Sequence, residues 1–203
     1  GRPRIVTPDS TFSAVLSGLD GIQPGETRTF TVDVTNLGAQ ACNDVVGAGV
    51  SVSATAGAVT QDTHQAALGH GTTHRWTGQF RAPTDAASVT LTTQLTMPGL
   101  ATPFTYTAVQ TINRPPAGTP NTGTVTAPEG TAVSNAGTFS DDGTVTLAAS
   151  SGQITKTGDA TGTWQWTSTA GDGPSQTTVT VTATDGFGAS ATTSFTVAAT
   201  NVM

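Results

Sequence analysis

The sequence predicts an all-β protein built as two β-sandwich domains in tandem, and three observations carry that prediction. Apolar residues recur at every second position in short runs, threonine fills roughly a fifth of the chain, and one proline-rich stretch interrupts the pattern near the middle. A two-residue period puts alternate side chains on opposite faces of a strand, one face buried and the other wet. Threonine and valine suit such a surface, because β-branched side chains are stiff at χ1 and fit the pleat. The 203 residues suffice for two sandwiches of about 100 each.

The strands can be placed in order. A first strand is expected over 12–16. Pro24-Gly25 then turns the chain into a strand where Phe30, Val32 and Val34 face one way and Thr31, Asp33 and Thr35 the other. The same alternation returns in Val50, Val52 and Ala54, in Trp76, Gly78 and Phe80, in Val89, Leu91 and Thr93, and in Phe104, Tyr106 and Ala108. These make about six strands and a first domain over 1–114 that includes an N-terminal arm, Gly1 to Pro8, with Ile5 and Val6 between prolines.

Residues 115–120 fall within Asn113-Arg114-Pro115-Pro116-Ala117-Gly118-Thr119-Pro120, which has no alternation and three prolines. Proline cannot donate to a ladder and favours extended polyproline geometry, so this stretch reads as a semi-rigid linker. A second domain is expected over 121–203. Its strands are marked by Val125 and Ala127, by Val145, Leu147 and Ala149, by Ile154, by Trp164 and Trp166, by Val179, Val181 and Ala183, and by Phe195 and Val197. Turn signals such as Asp141-Asp142-Gly143, Gly171-Asp172-Gly173-Pro174 and Asp185-Gly186 separate them.

Several segments of this second half, in fixed order, resemble the bacterial immunoglobulin-like repeats of large extracellular and surface proteins. They are Ala136-Gly137-Thr138-Phe139-Ser140-Asp141, Val145-Thr146-Leu147-Ala148-Ala149-Ser150, Ile154-Thr155-Lys156-Thr157-Gly158, Gly162-Thr163-Trp164-Gln165-Trp166 and Val179-Thr180-Val181-Thr182-Ala183-Thr184-Asp185-Gly186. The first half is loosely similar to Ig-like modules that precede anchoring segments in bacterial surface proteins, through Pro24-Gly25-Glu26 and Trp76-Thr77-Gly78-Gln79-Phe80-Arg81-Ala82-Pro83. The resemblance implies two tandem immunoglobulin-like β-sandwich domains, an extracellular or cell-surface location, and a structural or adhesive role. It is specific for fold and weak for function, since such domains serve adhesins, stalks and enzyme appendages alike.

Composition narrows the partners. Charged residues make up 10% of the chain and the formal net charge is −6, with Lys156 the one lysine. Such a chain has no basic face for a phosphate backbone, which argues against nucleic acid. The longest apolar runs fall far short of the roughly 18 residues of a membrane span, so membrane insertion is not expected. Cys42 is the one cysteine, which excludes an intrachain disulfide.

Two clusters could hold metal. His64, His70 and His74 lie within eleven residues, in a glycine-containing stretch before the Trp76 strand. Imidazoles gathered in this way can bind Zn or Cu, with Asp62 or water as a further ligand, although the spacing matches no metal signature. Asp141, Asp142 and Asp185, with Asp172, sit in turns at strand ends, where loop carboxylates can donate oxygens to calcium. The competing reading is that these aspartates bond the backbone of their own turns. Trp164 and Trp166 share one strand face and could form a sugar platform, but core burial accounts for them better.

No nucleophile–base pair, paired catalytic carboxylates or phosphate loop is evident, so no enzymatic activity is expected. The expected function is a non-catalytic extracellular protein that binds other copies of itself or other surface proteins. Self-assembly into a layer or filament would proceed through edge-strand or N-terminal-arm exchange. Two alternatives stand beside it: a polysaccharide-binding accessory module using Trp76, Tyr106 or a tryptophan of the second half, and a metal-binding surface protein using the histidines.

Overall fold

The computed structural model describes residues 12–38, 45–98 and 101–202. The arm expected at Gly1 to Pro8, and Cys42, lie outside the described residues. The chain divides into two compact units, Gly1–Asn113 and Arg114–Met203.

In the first unit the strands are β1 (Phe12–Ser17), β2 (Thr27–Asn36), β3 (Val45–Ala54), β4 (Ala58–Gln61), β5 (Ala66–Leu68), β6 (Thr73–Arg81), β7 (Ser88–Thr96) and β8 (Phe104–Thr111). They form two four-stranded antiparallel sheets, ordered β1-β2-β6-β4 and β5-β3-β7-β8. This is the immunoglobulin arrangement, with β1, β2, β6 and β4 as strands A, B, E and D, and β3, β7 and β8 as C, F and G. The inward residues predicted by alternation make the core. Phe30, Val32 and Val34 from β2 and Trp76 and Phe80 from β6 join Val50, Leu91 and Leu95 in one buried cluster.

Two strands escape the sequence reading. β4 and β5 are four and three residues long, too short to display a period. The two sheets are tied at one side by Tyr106, whose hydroxyl donates to the Phe12 carbonyl at 2.6 Å. Burial raises the pKa of that phenol.

The second unit has β9 (Ala117–Pro120), β10 (Thr124–Pro128), β11 (Ala132–Ser140), β12 (Thr146–Ala149), β13 (Gln153–Thr157), β14 (Thr161–Thr169), β15 (Ser175–Thr184) and β16 (Ser190–Thr200). Its sheets are ordered β13-β14-β11-β9 and β10-β16-β15-β12. Trp164 and Trp166, each 1% exposed, pack against Phe195, and the Trp166 indole donates to the Ser151 carbonyl at 2.6 Å.

The linker expected at 115–120 is corrected here. Residues 117–120 are β9, paired antiparallel with β11 from Gly137↔Pro120 to Ser140↔Ala117. Proline is tolerated because β9 is an edge strand with one side unpaired. The first strand of this sandwich is therefore split, β9 joining one sheet and β10 running parallel to β16 in the other. β11 was also missing from the alternation, because two of its inward positions are Asn135 and Gly137 rather than large apolar residues. Asn135 is satisfied there by donating to the Thr122 carbonyl at 2.8 Å. Gly137 leaves room for the Trp164 ring, which a Cβ would meet at 2.4 Å.

Candidate functional site

The histidines lie in the first unit, and the backbone explains which of them meet. On β6, residues 74, 76, 78 and 80 share the inward phase, so His74 stands half-buried at the rim, two residues before the buried Trp76. The loop between β4 and β5 brings His64 to the same place. Asp62 shapes that loop, because its Oδ1 accepts the His64 backbone N–H at 3.0 Å in an Asx turn. The Trp76 indole N–H closes it from below, donating to the His64 carbonyl at 2.9 Å.

The two imidazoles meet through their Nε2 atoms at 2.9 Å. Behind His64, its Nδ1 lies 2.8 Å from Asp62 Oδ2. The Asp62 carboxyl is held below the usual carboxylate range, first by the His64 backbone N–H and then by the His64 ring. An ionised Asp62 fixes the proton of a neutral His64 on Nδ1, which leaves the Nε2 lone pair pointing at His74. His74 then donates from Nε2. Trp76 forms the floor, stacked under His64 at 5.8 Å between ring centroids and edge-on to His74 at 4.6 Å.

The structure thus joins His64 and His74 and leaves His70 outside the pair. Asp62, expected as a further metal ligand, instead orients His64 from behind. No group of three or more His, Cys, Asp or Glu side chains among the described residues is arranged to hold a metal ion. A signal for the pair existed in the sequence: His74-x-Trp76 shares the phase of a strand face, and Asp62-x-His64 is an Asx-turn spacing.

The aspartates weighed for calcium work on their own turns. Asp185 is buried, and its Oδ1 accepts the N–H groups of Phe187 at 2.8 Å and Ala189 at 2.9 Å. Asp141 accepts the Gly143 N–H at 3.1 Å, while Asp142 is exposed. Calcium needs about 6–8 oxygens, and no group among the described residues assembles them. The carboxylate of Glu129 is spent on backbone as well, accepting from Gly173 and Val202, and those N–H groups lower its pKa.

Of the aromatics weighed for sugar, Trp76, Trp164 and Trp166 are buried, and Tyr106 is half-buried with its hydroxyl donating to the Phe12 carbonyl. A cavity of about 20 Å³ beside Phe139, Leu147 and Trp164 has room for no more than about one water. No helix among the described residues is long and apolar enough to cross a membrane, which says nothing of strands.

No protein-family model and no curated protein matches the chain. Among solved structures it is similar to the BIgI domain of beta protein from S. agalactiae, bound there to CEACAM1, at 20% identity over 43% of this chain and 99% of that one, with a TM-score of 0.37. It is also similar to the Yersinia pseudotuberculosis adhesin InvE, at 16% identity over 92% of this chain and 60% of that one, with a TM-score of 0.34. The D0-D1 domain of Intimin matches at 14% identity over 92% and 97%, with a TM-score of 0.31.

Proposed function

We propose that this chain is a non-catalytic protein of the bacterial cell surface, two separate Ig-like domains whose sheet edges and faces make contacts with proteins, other copies of itself included. The observation that carries the reading is the edge of β8, which has no outer partner among the described residues. This strand ends its sheet, has no charged residue over Phe104–Thr111, and leaves Val109 73% exposed. In the second unit the equivalent last strand, β16, is covered by β10. An uncovered, uncharged edge offers its backbone N–H and C=O groups to a strand from another chain.

The outer face of the second unit supports the same role. Thr178, Thr180, Thr182 and Thr184 on β15 lie opposite Thr196, Ser194, Thr192 and Ser190 on β16, a field of hydroxyls without charge. Such a face hydrogen-bonds to a partner without the desolvation cost of buried ions.

Sedimentation velocity and electron microscopy on the purified chain test the reading. Concentration-dependent association is expected, and Val109→Lys shifts it toward monomer, since a charge on an edge opposes pairing. A wild-type chain that stays monomeric at every concentration, or association unmoved by Val109→Lys, overturns the assignment of β8 as the contact edge.

A further inference from the structure

We propose that His64 and His74 form a copper(II) site, binding the ion through their two Nε2 atoms in cis positions, with water or an external donor completing the coordination. This inference is independent of the adhesive reading.

Three features of the pair point to a metal. The two Nε2 atoms come from different elements, the loop before β5 and strand β6, and lie 2.9 Å apart beside the Trp76 ring. The Nδ1 of His64 is held by Asp62 at 2.8 Å, the carboxylate–histidine arrangement that fixes the tautomer of a ligating imidazole and raises its basicity. Both rings reach solvent, with the His64 side chain 40% exposed, so an ion has an entry path.

The separation is compatible with two cis ligands of one ion. Two nitrogens each about 2.0–2.1 Å from an ion and 2.9 Å apart subtend an angle of about 90°. A right angle fits the cis positions of a tetragonal site, the geometry of Cu(II) with nitrogen and oxygen donors, and Cu(II) also heads the affinity order of divalent first-row ions. Binding replaces the Nε2–H···Nε2 hydrogen bond: His64 already presents a lone pair at Nε2, and His74 moves its proton to Nδ1. No net proton need be released. With two protein nitrogens the site keeps open positions, which suits capture or presentation of copper rather than a closed structural centre.

The test is Cu(II) titration of the full chain, followed by electron paramagnetic resonance and by quenching of tryptophan fluorescence. One Cu(II) per chain with two nitrogen ligands is expected, tighter than Zn(II). His64→Gln and His74→Gln each abolish the two-nitrogen signal. His64 is exposed enough that its variant keeps the fold, which far-ultraviolet circular dichroism checks. Asp62→Asn weakens binding by about 10- to 100-fold, the usual effect of removing an outer-shell partner. His70→Gln leaves the affinity unchanged. Wild-type affinity in His64→Gln, loss of the signal in His70→Gln, or tighter binding of Zn(II) than Cu(II) overturns the proposal.

Discussion

Replacing Asp185 with alanine separates a turn anchor from a calcium ligand. In the native turn a single carboxylate oxygen accepts two backbone N–H groups, those of Phe187 and Ala189, the second fully buried. Hydrogen bonds to a charged acceptor contribute about 1.5–3 kcal/mol each, and alanine also leaves the two donors without their partner. Because both bonds share one oxygen, they do not simply add, and a loss of about 3 kcal/mol is expected. For a domain of this size each kcal/mol moves the midpoint by about 4–8 °C, so the transition of the second unit falls by roughly 12–24 °C. Asp185→Asn, which keeps an oxygen at the same place, loses less. The assay is calorimetry of wild type and both variants, in calcium and in chelator. The anchor predicts the same loss in both buffers. A midpoint raised by calcium in the wild type and not in Asp185→Ala would refute it.

Further expectations follow from single contacts. Gly137→Ala puts a Cβ 2.2 Å from the Thr119 carbonyl oxygen and 2.4 Å from the Trp164 ring, so the second unit loses about 1–3 kcal/mol and β9 becomes the site of first cleavage in limited proteolysis. Trp166→Phe removes the donor to Ser151 and part of a buried ring, costing about 1–3 kcal/mol in denaturant unfolding. The pKa of Glu26 is lowered by Arg28 and then by the Gln23 N–H, so its contribution is present above the ordinary value of 4.5 and lost as pH falls through the lower folded value. Glu26→Gln therefore flattens the acid limb of the first unit's stability profile, read as its thermal midpoint against pH. Asp33, lowered by Arg75, adds to that limb in the same direction.

What the sequence made legible was whatever rested on large side chains at a period of two. Phe30, Val32, Val34, Trp76, Phe80, Val179, Val181 and Phe195 all sit where alternation puts them. β11 was hidden because Asn135 and Gly137 occupy inward positions, and an amide satisfied by a distant carbonyl has no local signature. β9 was hidden by Pro120 and by Pro115 and Pro116 just before it, which signal a linker unless the strand is known to be an edge. At the candidate site the residue types were visible and the geometry was not. Three histidines in eleven residues do not say which two meet, because that depends on the phase of β6 and on the turn made by Asp62, both settled by tertiary packing.

The two units pose the same problem and solve it differently. An immunoglobulin-like sandwich leaves its last strand at the edge of a sheet, and a bare edge is a hazard for association. In the second unit the split first strand covers β16: β9 stays with β11 while β10 pairs in parallel along β16 from Thr124↔Thr196 to Pro128↔Thr200, leaving the five-residue β10, which ends in Pro128, as the edge. In the first unit β1 pairs along its whole length with β2, and among the described residues nothing pairs with the outer edge of β8. Lysine, the usual guard of an exposed edge, stands instead on β13, where Lys156 also lies over the Phe139 ring. β10 thus covers β16 and Lys156 charges the β13 edge, whereas among the described residues β8, like β1, ends its sheet uncovered and without a charge. If that difference serves association, moving the guard should abolish it: a lysine at Val109 gives β8 what β13 already has, and the chain should remain folded while losing its self-contacts.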